Sequence, residues 1–207
     1  MRHCTTVTWK TLSVVVAASI LLGCWPRISS EHLPDELVPS SLLEAYPYAQ
    51  ARAAEWSRKA FLEGASAQYK REGSTWIASR LSYVFVDIEL GQYTMLVTEL
   101  DSRVIQIHPP RSIEGSMVST LPLFLEDNPL DEREALRVAD GALGNEVIVS
   151  CRDPEVVLKG SGFGDHQYWG ITYAAHQPLW TVVGELTIDA ITGELVSLRD
   201  FTRDCQQ

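Results

Sequence analysis

The sequence predicts an α+β protein built as two helix-plus-antiparallel-sheet halves behind a secretory signal. Three patterns carry that expectation. Residues 12–22 form an apolar run preceded by Arg2 and Lys10 and by no acid, the n-region and h-region of an export signal. Beyond it, apolar residues recur first at spacings of three and four and then in alternation, and this change of period happens twice along the chain. Each half also ends on a hairpin whose turn opens with aspartate: Asp101 precedes Val104-Ile105-Gln106-Ile107, and Asp189 precedes Leu195-Val196-Ser197-Leu198.

The signal ends at Leu21-Leu22-Gly23-Cys24. A bilayer-spanning helix needs about 20 apolar residues, and Gly23 and Pro26 cut this run well short of that. The four residues resemble the lipobox of bacterial lipoproteins, with aliphatic residues at the first two places, a small residue before the cut and cysteine after it. The resemblance implies a signal peptide over residues 1–23, lipidation of Cys24, and an extracytoplasmic domain lipid-anchored to a bacterial membrane. An ordinary signal peptide with an incidental cysteine is the other reading, since Gly23 also suits a standard signal peptidase. Residues 24–40 carry Pro26, Pro34 and Pro39 among serines and acids without an apolar period, the composition of a flexible tether.

Across its 207 residues the chain has 17 Lys+Arg against 27 Asp+Glu, a net charge of −10 that the loss of Arg2 and Lys10 makes more negative. No basic run opposes that average, which excludes nucleic acid as a partner. With 45% apolar and 21% charged residues, the composition is that of a folded globular chain. Cleavage removes Cys4 and lipidation takes Cys24, leaving Cys151 and Cys205 in an oxidising compartment. Either these two form a disulfide that returns the C-terminal tail to the domain, or they remain two buried thiols.

The first half spans residues 41–110. Ser41 and Glu44 have the spacing of a capping box, but Pro47 limits that helix to about one turn. Ala49, Ala53, Trp56, Ala60, Gly64 and Ala67 then recur at helical spacing, which predicts an amphipathic helix over residues 48–69 with Trp56 as its core anchor. Strands follow at residues 80–88, 93–100 and 103–108, stopped by Pro109 and Pro110. Residues 111–127 are a crossover linker whose apolar patch, residues 121–125, packs as extended chain. The second half spans residues 128–207. Asn128 and Pro129 open a helix that runs to about Leu143, with Gly144 and Asn145 as its stop. Short strands at 146–151 and 155–159, a flexible glycine-rich loop at 160–165, and strands at 168–173, 179–188 and 194–199 complete it.

That helix, the strands Trp169-Gly170-Ile171-Thr172-Tyr173 and Leu179-Trp180-Thr181-Val182-Val183, and above all Ile188-Asp189-Ala190-Ile191-Thr192-Gly193-Glu194-Leu195 resemble a PepSY domain. The PepSY closing hairpin reads as an apolar residue, Asp-Ala, a variable residue, then Thr-Gly-Glu and an apolar residue. The resemblance covers residues 128–199, and the first half is similar to a degenerate copy lacking the Thr-Gly. It implies small α+β modules that bind or restrain peptidases or other envelope partners, with no catalytic residues and no cofactor.

The sequence carries few marks of catalytic chemistry. Nucleophile-elbow, His-Glu-x-x-His, Cys-x-x-Cys and phosphate-loop motifs are missing from the sequence. Gly160-Ser161-Gly162-Phe163-Gly164 is followed by a strand rather than by the helix N-terminus that phosphate binding requires. Asp165, His166 and His176 are the only metal-ligand types that cluster, and the adjacent pair points to opposite faces of a strand. Trp169, Tyr173 and Trp180 are either core or a binding surface. The expected function is binding of an envelope protein or peptide, a peptidase among the candidates. The rivals are a hydrolase assembled from Ser161, Asp165 and His166, and a structural envelope protein.

Overall fold

The computed structural model describes residues 27–35, 39–73, 75–117, 122–125, 130–163, 166–177 and 179–206. Among them, ten strands join a single antiparallel sheet in the order β1-β5-β4-β3-β2-β7-β8-β9-β10, with β6 paired to β4. The strands are β1 (Ser29–His32), β2 (Phe61–Glu72), β3 (Thr75–Asp87), β4 (Gln92–Glu99), β5 (Val104–Ile107), β6 (Arg111–Ser112), β7 (Glu155–Phe163), β8 (His166–Gln177), β9 (Leu179–Asp189) and β10 (Leu195–Asp200). The expectation of two helix-plus-sheet halves is thereby overturned. β2 pairs with β7 from Ala65↔Gly160 to Lys70↔Glu155, so the sheet runs unbroken through the place where the halves were to separate.

The main helical error lies at β2. Helix α1 is Leu42–Trp56, ended by Ser57 in extended geometry, and the residues expected as its second part form β2. Ala65, Ala67 and Tyr69 are buried in alternation. Small residues satisfy a three-four period and a two period equally well, and pairing on both sides decides for the strand. The Ser41 side chain accepts the Glu44 N–H at 3.1 Å, a working N-cap, and the helix continues through Pro47. Pro47 removes the partner of the Leu43 carbonyl, but both residues are exposed, so that carbonyl is open to solvent and the loss is tolerated. The buried stripe Leu42, Ala45, Ala49 and Ala53 faces Tyr83, whose hydroxyl donates to the Leu42 carbonyl at 2.6 Å.

Helix α2 (Glu132–Ala139) is capped by Asp131, whose side chain accepts the Glu134 N–H at 2.8 Å. It does not stop at Gly144 and Asn145. A π-helical turn (Asp140–Gly144) carries it into α3 (Asn145–Ser150), so the expected strand over residues 146–151 is helical. Gly144 has ordinary right-handed helical backbone and is there for space: a Cβ on it would meet Asp140 Oδ1 at 2.1 Å and the Tyr173 hydroxyl at 2.6 Å. The glycine-rich stretch is not a loop as far as Phe163, since β7 continues through it. Gly160 is buried where Leu123 and the Trp169 ring, each 3.2 Å from the position of a Cβ, close over it. The segment read as a tether also departs from expectation. From Ser29 it pairs with β5, and the Leu33 N–H donates to the Arg103 carbonyl at 2.9 Å.

Cys151 and Cys205 meet at disulfide distance, with Cα atoms 5.1 Å apart and a sequence separation of 54. A bond there is worth ~2–4 kcal/mol by constraining the unfolded chain. The space around Gly144 yields a direct expectation. Gly144→Ala forces Asp140 and Tyr173 apart and lowers stability by about 1–3 kcal/mol, read by urea denaturation, despite alanine's better helix propensity. A variant as stable as the parent would show that the π-turn has room to shift.

Candidate functional site

The sequence-predicted residues scatter. Cys24 and Asp165 lie outside the described residues, as does the side chain of His176. Trp169 is 1% exposed and its indole N–H donates to the Leu130 carbonyl at 2.8 Å. Tyr173 is fully buried, whereas Trp180 is 46% exposed on β9. Ser161 faces Tyr168 across the β7–β8 pair, and His166 Nδ1 stands 3.9 Å from Asp189 Oδ2. The Asp189 carboxylate already accepts the Ile191 and Thr192 N–H groups, each at 2.8 Å, and these bonds hold it well below the usual carboxylate range. It shapes the turn. Among the described residues no group of three or more His, Cys, Asp or Glu is placed to hold a metal ion.

Two carboxyls, Glu132 buried and Asp140 half-buried, pin the helices. Glu132, 2% exposed, accepts the Leu42 N–H at 2.5 Å, so the first residue of α2 satisfies an orphan donor at the start of α1. Asp140 in the π-turn accepts the Trp76 indole N–H at 2.8 Å and the Tyr173 hydroxyl at 2.7 Å, tying α2 to β3 and β8. Desolvation raises both carboxyl pKa values above the ordinary range, against the pull of their hydrogen-bond donors.

The feature that points outward is β10. All six of its residues are exposed, and among the described residues it pairs only with β9. Cross-strand register places Leu195 opposite Ile188 and Leu198 opposite Leu186, and cross-strand partners share a face. Ile188 and Leu186 are core residues, at 0% and 2% exposure, yet Leu195 and Leu198 are 42% and 44% exposed. On this side the helical layer packs on β8, Leu143 of the π-turn lies against Gly184 of β9, and α3 meets the 3-10 turn (Thr202–Gln206) that follows β10. The apolar face of the sheet thus extends one strand past its cover. Val196, at the bulge between Leu195 and Ser197, adds a side chain 57% exposed. The opposite edge, β1, reads Ser-Ser-Glu-His, and its Glu31 is paired with Arg52. An uncovered apolar strand with outward N–H and C=O groups can accept another extended chain. Strict alternation would place Leu195 and Leu198 on opposite faces, and the bulge between Leu195 and Ser197 brings them onto one.

These two carboxyls make stability pH-dependent in a defined direction. A carboxyl whose folded pKa is raised binds more protons in the folded state, so stability falls as pH rises above the ordinary carboxylate range through the folded value. Glu132→Gln keeps an oxygen for the Leu42 N–H and removes the charge. We expect this variant to lose part of that decline, measured by urea denaturation across pH; an unchanged slope would assign the dependence elsewhere.

Comparison of the chain with protein-family models, with curated proteins and with solved structures finds no match.

Proposed function

We propose that the chain is an extracytoplasmic lipoprotein, anchored to the membrane through Cys24, that binds an envelope protein or peptide by adding an extended segment of it to β10. The observation carrying this reading is the uncovered apolar edge, where Leu195, Val196 and Leu198 continue the core face without a helical layer. Main-chain pairing supplies affinity that tolerates sequence, and the two leucines supply selection for apolar residues at alternate positions of the partner. The lipobox resemblance supports the compartment, and an oxidising one suits closure of Cys151 and Cys205 as a disulfide. The resemblance of residues 188–195 to the PepSY closing hairpin makes a peptidase the first partner to test. The protein acts by binding and not by catalysis, consistent with an Asp189 carboxylate held in a turn and carboxyls at Glu132 and Asp140 held as structural acceptors.

The reading is tested by photo-crosslinking from position 196 in intact envelopes, with position 30 on β1 as the control edge. Partner adducts are expected from 196 alone; equal adducts from both positions, or none from 196, would reject it. With the partner in hand, Leu195→Lys together with Leu198→Lys removes about 1 kcal/mol of burial at each half-exposed leucine and weakens binding by roughly 30-fold.

A further inference from the structure

We infer that the end of the sheet where the chain enters lies flat against the membrane and engages its anionic headgroups. The inference rests on the reading that places residue 24 at the membrane, whether by lipid or by the apolar run before it. Position 29, where β1 begins, is five Cα steps beyond position 24. Fully extended, that stretch reaches about 17 Å. The folded body therefore has no long tether on which to stand away from the bilayer.

The surface presented there fits a lipid interface. Five segments converge at this end. The chain entry, the last turn of α1 and the link after β5 surround a 330 Å³ recess whose lining includes Arg27, Trp56, Leu96, Ile107, Pro109 and Pro110. The link continues into β6, where Arg111 pairs with Tyr93, and the Ile113 N–H donates to the Gly91 carbonyl at 3.0 Å in the β3–β4 turn. That turn is held to the α1–β2 loop. The Ser57 hydroxyl donates to Asp87, and Asp87 also accepts the Leu90 N–H at 2.9 Å. Ile28, Ile88 and Leu90 stand out from these segments at 49%, 53% and 55% exposure.

Charge distinguishes this end from the rest of the acidic chain. Lys59 holds Glu89 at 2.5 Å and Arg52 holds Glu55 at 2.7 Å, so two of the local acids are matched and Glu114, exposed beside Arg111, is the acid left facing the arginines. Arg27, Arg58 and Arg111 are exposed and make no ion pair among the described residues. Apolar side chains rimmed by unmatched arginines are what an anionic bilayer surface attracts, whereas a chain of net charge −10 is repelled elsewhere. Arginine stems also lie along apolar surface while the guanidinium reaches phosphate.

The test uses the full chain as cells produce it, reconstituted in vesicles of phosphatidylglycerol and phosphatidylethanolamine that carry a doxyl-labelled lipid. A fluorophore is placed at Leu90→Cys or, in the β4–β5 turn at the other end of the sheet, at Ser102→Cys. Quenching several-fold stronger at 90 than at 102 is expected, reduced by high salt and by Arg58→Glu with Arg111→Glu. Equal quenching at the two positions overturns the inference even if Cys24 carries lipid. Mass spectrometry of the N-terminus decides the anchor separately: a quenching contrast with an unlipidated Cys24 rejects lipidation and leaves the docking surface standing.

Discussion

β2 and β7 pair along Ala65–Lys70 and Glu155–Gly160, and the rest of the architecture depends on this seam. Each is an inner strand, with β3 on the far side of β2 and β8 on the far side of β7. Without the seam, both would be open edges with apolar faces. The residues along it are small on one side, Ala65 and Ala67, and larger on the other, Leu158 and Val156, and all four are buried. That combination lets the helical layer sit close over the joint without a gap.

Above the seam the helices meet through charge. Glu132 reaches from α2 to the first N–H of α1, and Asp140 reaches from the π-turn to Trp76 and Tyr173 on two different strands. A buried carboxyl is costly unless several donors converge on it, and its donors lose their partner if it leaves. Such groups specify one packing of helices on sheet more sharply than apolar contact does. The π-turn follows from the same demand. It widens the helix by one residue where Asp140, Tyr173 and Gly144 must share space, as π-bulges elsewhere accommodate an inserted interaction.

Much of the strand pattern was legible. The runs that became β3, β4, β5, β9 and β10 alternate or concentrate β-branched and aromatic residues, and Asp189 announces its turn through the hydrogen bonds its side chain makes. The Ser41 cap was legible too, for the same local reason. What failed was non-local. Ala60, Gly64 and Ala67 carry no period of their own, so only the neighbours of β2 could decide its state. Val147, Ile148 and Val149 are strand formers by propensity, yet they continue a helix whose register the Asp140 contacts set upstream. Gly144 looked like a stop because glycine commonly ends helices, whereas here it yields room. The candidate edge was legible only as a closing hairpin: the bulge at Val196 that aligns Leu195 with Leu198, and the extent of the helical layer that leaves them exposed, are set by non-local packing.

The width of the sheet has a consequence of its own. The chain enters at β1 and the open edge is β10, at opposite ends of a nine-strand path. Eight spacings of about 4.8 Å set them roughly 38 Å apart across a hydrogen-bonded plate. A protein held at the β1 margin would pivot about that point like a stiff arm, its far edge sweeping a ring of membrane surface and not a volume of solvent. Confinement of that kind raises the effective concentration of the edge toward other membrane-held chains over freely diffusing ones. Choice of partner would then follow from geometry as well as from side chains.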